Sequence, residues 1–375
     1  MKKQTIFSLM AALVLTGALV SCDKNDNPDD PQVKTSGGFY TINNGNMAGS
    51  ISSSITTYDY TTNQSTPALQ DAFKAANGIE LGDGAQPAII YDDKMFIPVY
   101  DSNLIWVVNP ETLEIITSIR PEAPATGPRA LAAADGKIYV SLFTGYVSRI
   151  DAKTLKIEKT IATGPNTEQM AIANGKLYVA NSDGYNYEDL ENQYTNCSIS
   201  IIDLKTWTQT YIRDTDKVLN PTDMATNGKD VFVLCKGNYG FPVPSTVKKI
   251  TGDDVIEIAQ ASYITVHDDD LYVINCPYGM SHADMSFDIY DTKSLKLKGT
   301  IAKQTEGTDS WIDAPAGIAV DPYNGNIIIL SYHITEAGFS QYMQPCYANI
   351  YDKGGNFKTR IECGVGALGV TFFHK

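Results

Sequence analysis

The sequence predicts an all-β chain, a seven-bladed β-propeller closed by a C-terminal strand that completes the first blade. Three observations predict it. The first is a phrase that recurs along the 375 residues: an apolar run, a turn, a run such as Lys-Leu-Tyr-Val, then a run closing on Asp-x-x-Thr. The middle run reads Lys137-Ile-Tyr-Val140, Lys176-Leu-Tyr-Val179, Asp230-Val-Phe-Val233 and Asp270-Leu-Tyr-Val273. The endpoints Asp59, Asn109, Asp151, Asp203, Thr251, Asp291 and Asp352 lie 50, 42, 52, 48, 40 and 61 positions apart. A period of about 40–50 residues with several strands per unit marks a propeller. The second observation is the turn chemistry between the first two strands of each unit: Asp92-Asp93, Asp135-Gly136, Asn174-Gly175, Asn227-Gly228, His267 to Asp270, and Asn324-Gly325. Asn-Gly and Asp-Gly supply the positive φ that two-residue hairpins need. The third is an imbalance. The first unit lacks an inner strand, and the chain carries a spare one, Ala367 to Phe373, after the seventh unit. Seven units and one completing strand leave no exposed edge.

Taken in order, the blades fall at about 39–71, 86–120, 127–163, 166–213, 220–260, 261–304 and 314–364. The inner strands are small and apolar, as in Ala130-Leu-Ala-Ala-Ala134 and Gly317-Ile-Ala-Val320, because they crowd around a central channel. The repeated Asp of Asp-x-x-Thr is read as a turn former: its carboxylate caps backbone N–H groups, and recurrence in nearly every blade argues against catalysis.

Ahead of the repeats, Lys2 and Lys3 precede an apolar stretch, Ile6 to Val20, too short to span a bilayer as a helix. It ends in Leu19-Val20-Ser21-Cys22, which resembles a bacterial lipoprotein cleavage site. The resemblance implies a signal peptide over 1–21 and lipidation of Cys22. Residues 22–38, rich in Asp, Asn, Pro, Ser and Gly, cannot bury enough apolar surface to order themselves and read as a tether. The acidic start, Asp23-Lys24-Asn25-Asp26 then Asp29-Asp30, resembles the signal that places some lipoproteins on the outer face of the outer membrane. The propeller then occupies 39–375.

Formal charge is −14, and −16 once Lys2 and Lys3 leave with the signal, which argues against nucleic acid or an anionic membrane surface as partner. Contact with the membrane is expected through the lipid anchor alone. Five cysteines remain beyond Cys22: Cys197, Cys235, Cys276, Cys346 and Cys363, with no metal-like spacing. Cys235 and Cys276 end equivalent strands of successive blades, which leaves either a disulfide or two small buried residues open.

Function is expected in the loops that differ between blades. The connections between second and third strands are short at Tyr100 to Asn103 and Phe143 to Tyr146. They are long at Asn181 to Asn196, Cys235 to Ser245, Cys276 to Ser286 and Ser331 to Cys346. Long loops in a compact domain are usually functional. They gather on one rim and carry Tyr185, Tyr187, Tyr194, Tyr239, Phe241, Tyr278, His282, Tyr332, His333 and Tyr342, among Asp183, Asn238 and Asp284. Asn44 and Asn46 join from the first blade and Trp311 from the approach to the seventh. Large amphipathic rings among small polar residues suit a sizeable, partly polar ligand. No catalytic motif stands out, so binding without chemistry is expected: no catalytic residue, no metal site and no cofactor.

The units Gly136-Lys-Ile-Tyr-Val140 through Ser148-Arg-Ile-Asp-Ala-Lys-Thr-Leu-Lys156, and Gly175-Lys-Leu-Tyr-Val-Ala-Asn181 through Ser200-Ile-Ile-Asp-Leu-Lys-Thr206, resemble the YncE-like seven-bladed propellers. With the lipoprotein signal, acidic tether and aromatic loop face, the chain resembles the BtuG-type surface lipoproteins. That resemblance implies capture of cobalamin outside the outer membrane and handover to a TonB-dependent transporter of the BtuB type. The family supplies no short motif to carry over, so the site residues rest on loop position and chemistry. Haem, with His282 or His333 as axial ligand, a glycan, or a protein partner are the alternatives.

Overall fold

The computed structural model describes residues 35–62, 71–184, 193–238, 243–277 and 284–375. The chain divides into Met1–Val33 and a compact unit, Lys34–Lys375. The signal peptide, Cys22 and most of the tether lie outside the described residues.

The compact unit opens with β1 (Ser36–Asn43) and β2 (Ser54–Asp59), followed by the short helix α1 (Ala72–Asn77). The second blade is β3 (Ile89–Tyr91), β4 (Lys94–Val99), β5 (Leu104–Val108) and β6 (Ile115–Ile119). The third is β7 (Pro128–Ala134), β8 (Lys137–Leu142), β9 (Tyr146–Asp151) and β10 (Ile157–Ala162). The fourth is β11 (Thr167–Ala173), β12 (Lys176–Asn181), β13 (Ser198–Asp203) and β14 (Gln209–Ile212). The fifth is β15 (Pro221–Thr226), β16 (Val231–Cys235), β17 (Thr246–Thr251) and β18 (Asp254–Gln260). The sixth is β19 (Tyr263–His267), β20 (Asp270–Asn275), β21 (Ser286–Asp291) and β22 (Leu297–Thr300). The seventh is β23 (Ala314–Val320), β24 (Ile327–Tyr332), β25 (Pro345–Tyr351) and β26 (Phe357–Val365), and β27 (Ala367–His374) ends the chain. Each of these six sheets is a four-stranded meander, and the first blade has the order β2-β1-β27 among the described residues. Innermost strands neighbour one another in sequence around the axis, β3 beside β7 and so on to β23 beside β27 and β27 beside β3. The expected ring of seven closed by the last strand is the observed fold.

Among the described residues, seven separate apolar cores account for its cohesion, each shared by two neighbouring blades. Ile42 and Met95 meet between blades one and two, Phe39 and Ile350 between one and seven. No blade has a core of its own, so each is stable only with both neighbours.

The Asp-x-x-Thr turns cap backbone as expected. Asp151 Oδ1 accepts from the N–H of Thr154 at 2.7 Å, Asp203 from Thr206 at 2.7 Å, and Asp291 from Ser294 at 2.7 Å. The following residue was not singled out by sequence, yet it matters. Leu113, Leu155, Trp207 and Leu295 all have φ of 58–59°, a left-handed conformation usually given to glycine. Each side chain instead packs into the core shared with the preceding blade. Burying a leucine contributes about 1.5–3 kcal/mol, enough to offset a left-handed residue at about 1–2 kcal/mol.

Two turn readings need correction. Asp135-Gly136 and Asn174-Gly175 do take positive φ at both positions, but Asn227 and Asn324 do not. Asn227 Oδ1 accepts from the N–H of Lys229 and of Asp230, at 3.1 and 2.9 Å, making a longer turn held by the side chain. At the N-terminal end, β1 begins at Ser36, which pairs with His374, so residues 36–38 of the expected tether belong to the first blade. Gly37 and Gly38 bring no apolar side chain that would have signalled a strand.

Closure depends on close approach at Gly369. A Cβ there would lie 2.7 Å from the Pro87 Cβ, so the last strand nests against the second blade only because a side chain is missing. Gly369→Val is therefore expected to lower stability by about 1–3 kcal/mol, as overpacking does. Removal of residues 367–375 is expected to abolish cooperative unfolding. Urea denaturation followed by circular dichroism checks both.

Candidate functional site

The meander decides where a site can form. Strand pairing places the first residues of each innermost strand beside the last residues of the next strand out, as in Pro128 with Leu142, Thr167 with Asn181, Pro221 with Cys235 and Ala314 with Tyr332. Those ends meet the long connections, so one end of the central channel opens beneath the long-loop face. The channel encloses a cavity of about 600 Å³ lined by the innermost strands. Its charges lie on one side. Blades three to five contribute Arg129, Glu168, Asp223 and Lys236 among apolar side chains such as Ala130 and Met224, whereas blades seven, one and two contribute the uncharged Ala316, Gly317, Leu368, Gly369, Pro87 and Gln86.

The charges at this mouth have distinct states. Arg129 donates from Nε and a terminal nitrogen to Glu168 Oε2, at 3.0 and 2.7 Å. Its guanidinium carbon lies 5.2 Å from the ring centres of both Tyr100 and Phe143. Glu168 also accepts from the Ser182 hydroxyl at 3.4 Å. This is a fastened pair: two donors converge on one carboxylate oxygen, the guanidinium lies beside two rings, and Glu168 is buried while Arg129 is half-buried. One blade on, Asp223 Oδ1 accepts from the Met224 N–H at 2.8 Å. Burial pushes its carboxyl up to about 6, with Glu168 adding repulsion and Lys236 opposing both. Lys236 donates to the Ser262 carbonyl at 2.7 Å and lies 5.3 Å from the Tyr263 ring centre. Burial pulls its ammonium below the usual lysine range. Asp223 and Lys236 feel each other's charge, yet they form no ion pair among the described residues.

Sequence reading missed all four of these residues. The available signal was a charge near the start of an otherwise small, apolar inner strand: Arg129 in Pro128-Arg-Ala-Leu131, Glu168 in Thr167-Glu-Gln-Met170, Asp223 in Pro221-Thr-Asp-Met224.

Of the residues expected at the site, Tyr185, Tyr187, Tyr239, Phe241, Tyr278 and His282 lie outside the described residues. Tyr332, His333 and Tyr342 come together on the seventh blade. The Tyr332 and Tyr342 rings meet edge-on at 4.9 Å, and His333 sits 4.8 Å from Tyr347. Burial pushes the Tyr332 phenol up to about 12. Their loop is internally braced: Thr335 N–H donates to the Phe339 carbonyl at 2.9 Å, and Gln341 N–H to that of His333 at 2.8 Å. Bracing presents Phe339 at 69% and Tyr342 at 53% exposure. Asn46 donates to the Tyr342 carbonyl at 3.1 Å, tying the first blade's loop to it. Tyr263 lines the channel cavity, and its phenol is pushed up chiefly by burial. Tyr332 pairs with Ala314 at the head of β23, so the aromatic loop starts at the mouth end of the seventh blade.

The remaining expected residues act largely as loop braces. Asn44 donates to the Ala85 carbonyl at 3.0 Å, Asp183 accepts from Asn196 N–H at 2.7 Å, and Asn238 accepts from Val243 N–H at 2.9 Å. Tyr194 donates its N–H to the Asp183 carbonyl at 3.1 Å. The Trp311 carbonyl accepts from Arg360 at 2.5 Å, and Asp284 is exposed at the start of the sixth blade's third strand. All five cysteines of the described residues are free thiols, four buried and Cys276 half-buried. No group of three His, Cys, Asp or Glu among the described residues could hold a metal ion. No described helix is long and apolar enough to cross a membrane.

Residues 37–194 match the model of a domain of unknown function, DUF5074, from the second residue of β1 into the loop after β12. No curated protein matches the chain in sequence. Among solved structures, hydrazine synthase of Kuenenia stuttgartiensis is similar with a TM-score of 0.56 and 16% identity, covering 76% of this chain and 88% of that one. The Neurospora crassa Pan2 WD40 domain gives 0.52 and 11%, covering 76% and 80%. The RRP9 WD40 repeats give 0.52 and 10%, covering 75% and 80%. Likeness at such identity shows the fold alone.

Two outcomes test the mouth. Arg129→Leu leaves Glu168 as a buried unpaired charge and is expected to cost about 3–5 kcal/mol; adding Glu168→Gln should restore most of it in urea denaturation. Asp223 titrates higher folded than unfolded, so the folded state keeps a proton that the unfolded chain has lost. Its contribution to stability therefore grows as pH falls from above about 6 toward about 4. The gap in melting temperature between the native chain and Asp223→Asn should change over that window and stay flat above it.

Proposed function

We propose that this chain is a surface-anchored capture protein whose long-loop face binds a corrinoid and passes it to a TonB-dependent outer-membrane transporter. No bond is made or broken. The observation that carries the reading is the aromatic group of the seventh blade, the exposed Phe339 and Tyr342 with Tyr332 edge-on to Tyr342, set on a braced loop at the mouth end of β24. Rigid aromatic surface binds at small entropic cost, and a corrinoid offers both a flat ring system and a rim of amide arms. The lipoprotein-like Leu19-Val20-Ser21-Cys22 and the acidic tether support a place on the cell surface.

Calorimetric titration of the chain with cyanocobalamin, with haemin as control, tests the proposal. One-to-one binding of cyanocobalamin and none of haemin is expected, and Tyr342→Ala should weaken it by about 1–3 kcal/mol, as an anchoring ring does. Binding of haemin alone would replace the corrinoid with haem and turn attention to His333. Silence with both would overturn the reading.

A further inference from the structure

The channel mouth holds two opposite charges that the fold leaves without a direct partner. Asp223 Oδ2 has no hydrogen bond among the described residues, its Oδ1 being engaged by Met224. Lys236 uses one of its three N–H donors on the Ser262 carbonyl. Beside them, the Thr222 hydroxyl is buried with no hydrogen-bond partner among the described residues. All three line the same cavity of about 600 Å³. Buried polar groups are rarely left unsatisfied without a reason, and a missing ligand is one such reason.

We infer that this mouth is a binding subsite for a primary carboxamide, held between Asp223 and Lys236. The amide NH2 donates to the free Asp223 oxygen, and the amide carbonyl accepts from Lys236. Arg129 and Glu168 already neutralise each other, and Asp223 and Lys236 balance in sign, so the site offers no net charge to attract an ion. A neutral group with a donor and an acceptor on adjacent atoms matches it without desolvating a charge. The opposite wall, of Ala316, Gly317, Leu368 and Gly369, suits the methylene stem that carries such an amide. The inference deepens the corrinoid reading and rests on it for the identity of the whole ligand, since amide arms are what a corrinoid would lower into the channel.

The test uses the full chain and two probes. Saturation-transfer NMR with propionamide, against propionate and propylammonium, reads the subsite directly; calorimetry with cyanocobalamin reads the whole ligand. Propionamide is expected to give transfer and the two ions little, and the signal should vanish in Lys236→Met and in Asp223→Leu. The same substitutions should weaken cyanocobalamin about tenfold or more, the scale of one charged hydrogen bond. Asp223→Asn, which keeps the shape, should weaken both probes less, and it keeps the test valid if Asp223→Leu fails to fold. Transfer from propionamide with no cyanocobalamin binding would sink the corrinoid reading and leave the subsite standing. Cyanocobalamin binding unchanged by the substitutions, with propionamide silent, would overturn the subsite and leave the corrinoid reading intact. Equal transfer from propionate or propylammonium would overturn the carboxamide assignment.

Discussion

Everything in this molecule depends on the antiparallel pairing of the last strand with the first. β27 lies along β1 with Phe39 opposite Phe372 and Tyr40 opposite Thr371, and Thr35 and Lys375 exchange backbone hydrogen bonds beyond it. Further ties reach the neighbouring blades: the Thr371 hydroxyl donates to the Ala88 carbonyl at 2.8 Å, and that of Ser36 to Asp321 at 2.5 Å. Because the seven cores lie between blades, opening this seam would expose the core of blades one and seven and remove half the support of each. Closure also fixes the channel, and with it the only end at which the long loops can gather around a mouth.

The two faces of the disc treat charge differently. On the turn face, Lys137 pairs with Asp151 and Glu158 at 2.7 and 2.9 Å, Lys249 with Asp230 at 2.8 Å, and Lys293 with Asp269 at 2.6 Å; Lys298 pairs with Asp270. These pairs are exposed or half-buried and of modest individual worth, and they tie neighbouring strands and turns together. At the mouth, Arg129 and Glu168 are locked together, while Asp223 and Lys236 one blade further are half-buried in the channel wall and form no ion pair with each other among the described residues. Burial in the channel wall, which raises the Asp223 carboxyl and lowers the Lys236 ammonium, has no counterpart in those exposed or half-exposed pairs.

The fold was legible because it is periodic. Turn residues, β-branched runs and the Asp-x-x-Thr phrase recur at blade spacing, so each copy supports the others. Even the weak unit at Thr251 has a local reason: β17 and β18 join through Gly252-Asp253 alone, which leaves no room for a capping Asp. The site was legible only where it departs from the repeat by length. The aromatic loop of blade seven was found that way, and Tyr332, His333 and Tyr342 do come together. Polar residues fared differently, since Asp183 and Asn238 brace their own connections and Asn44 ties the first blade to the approach to the second; a long loop needs internal hydrogen bonds before it can present anything. The mouth charges went unseen because one charge in a short apolar strand changes no period and resembles an ordinary strand end.

The asymmetry of the channel follows from the same closure that holds the ring. Near the seam, innermost strands must approach closely, which is why Gly369 lies against Pro87 and why Gly317 has the Leu368 carbonyl 3.3 Å from where its Cβ would be. A charged side chain there would prop the blades apart. Blades three to six stand away from the seam and have room for Arg129, Glu168 and Asp223 at the heads of β7, β11 and β15. The charged side chains of the wall therefore lie away from the place where the ring is sewn. The close approach that seals the ring and the charges that line the channel thus fall on different blades, so the device that closes the fold also gives the channel its polarity.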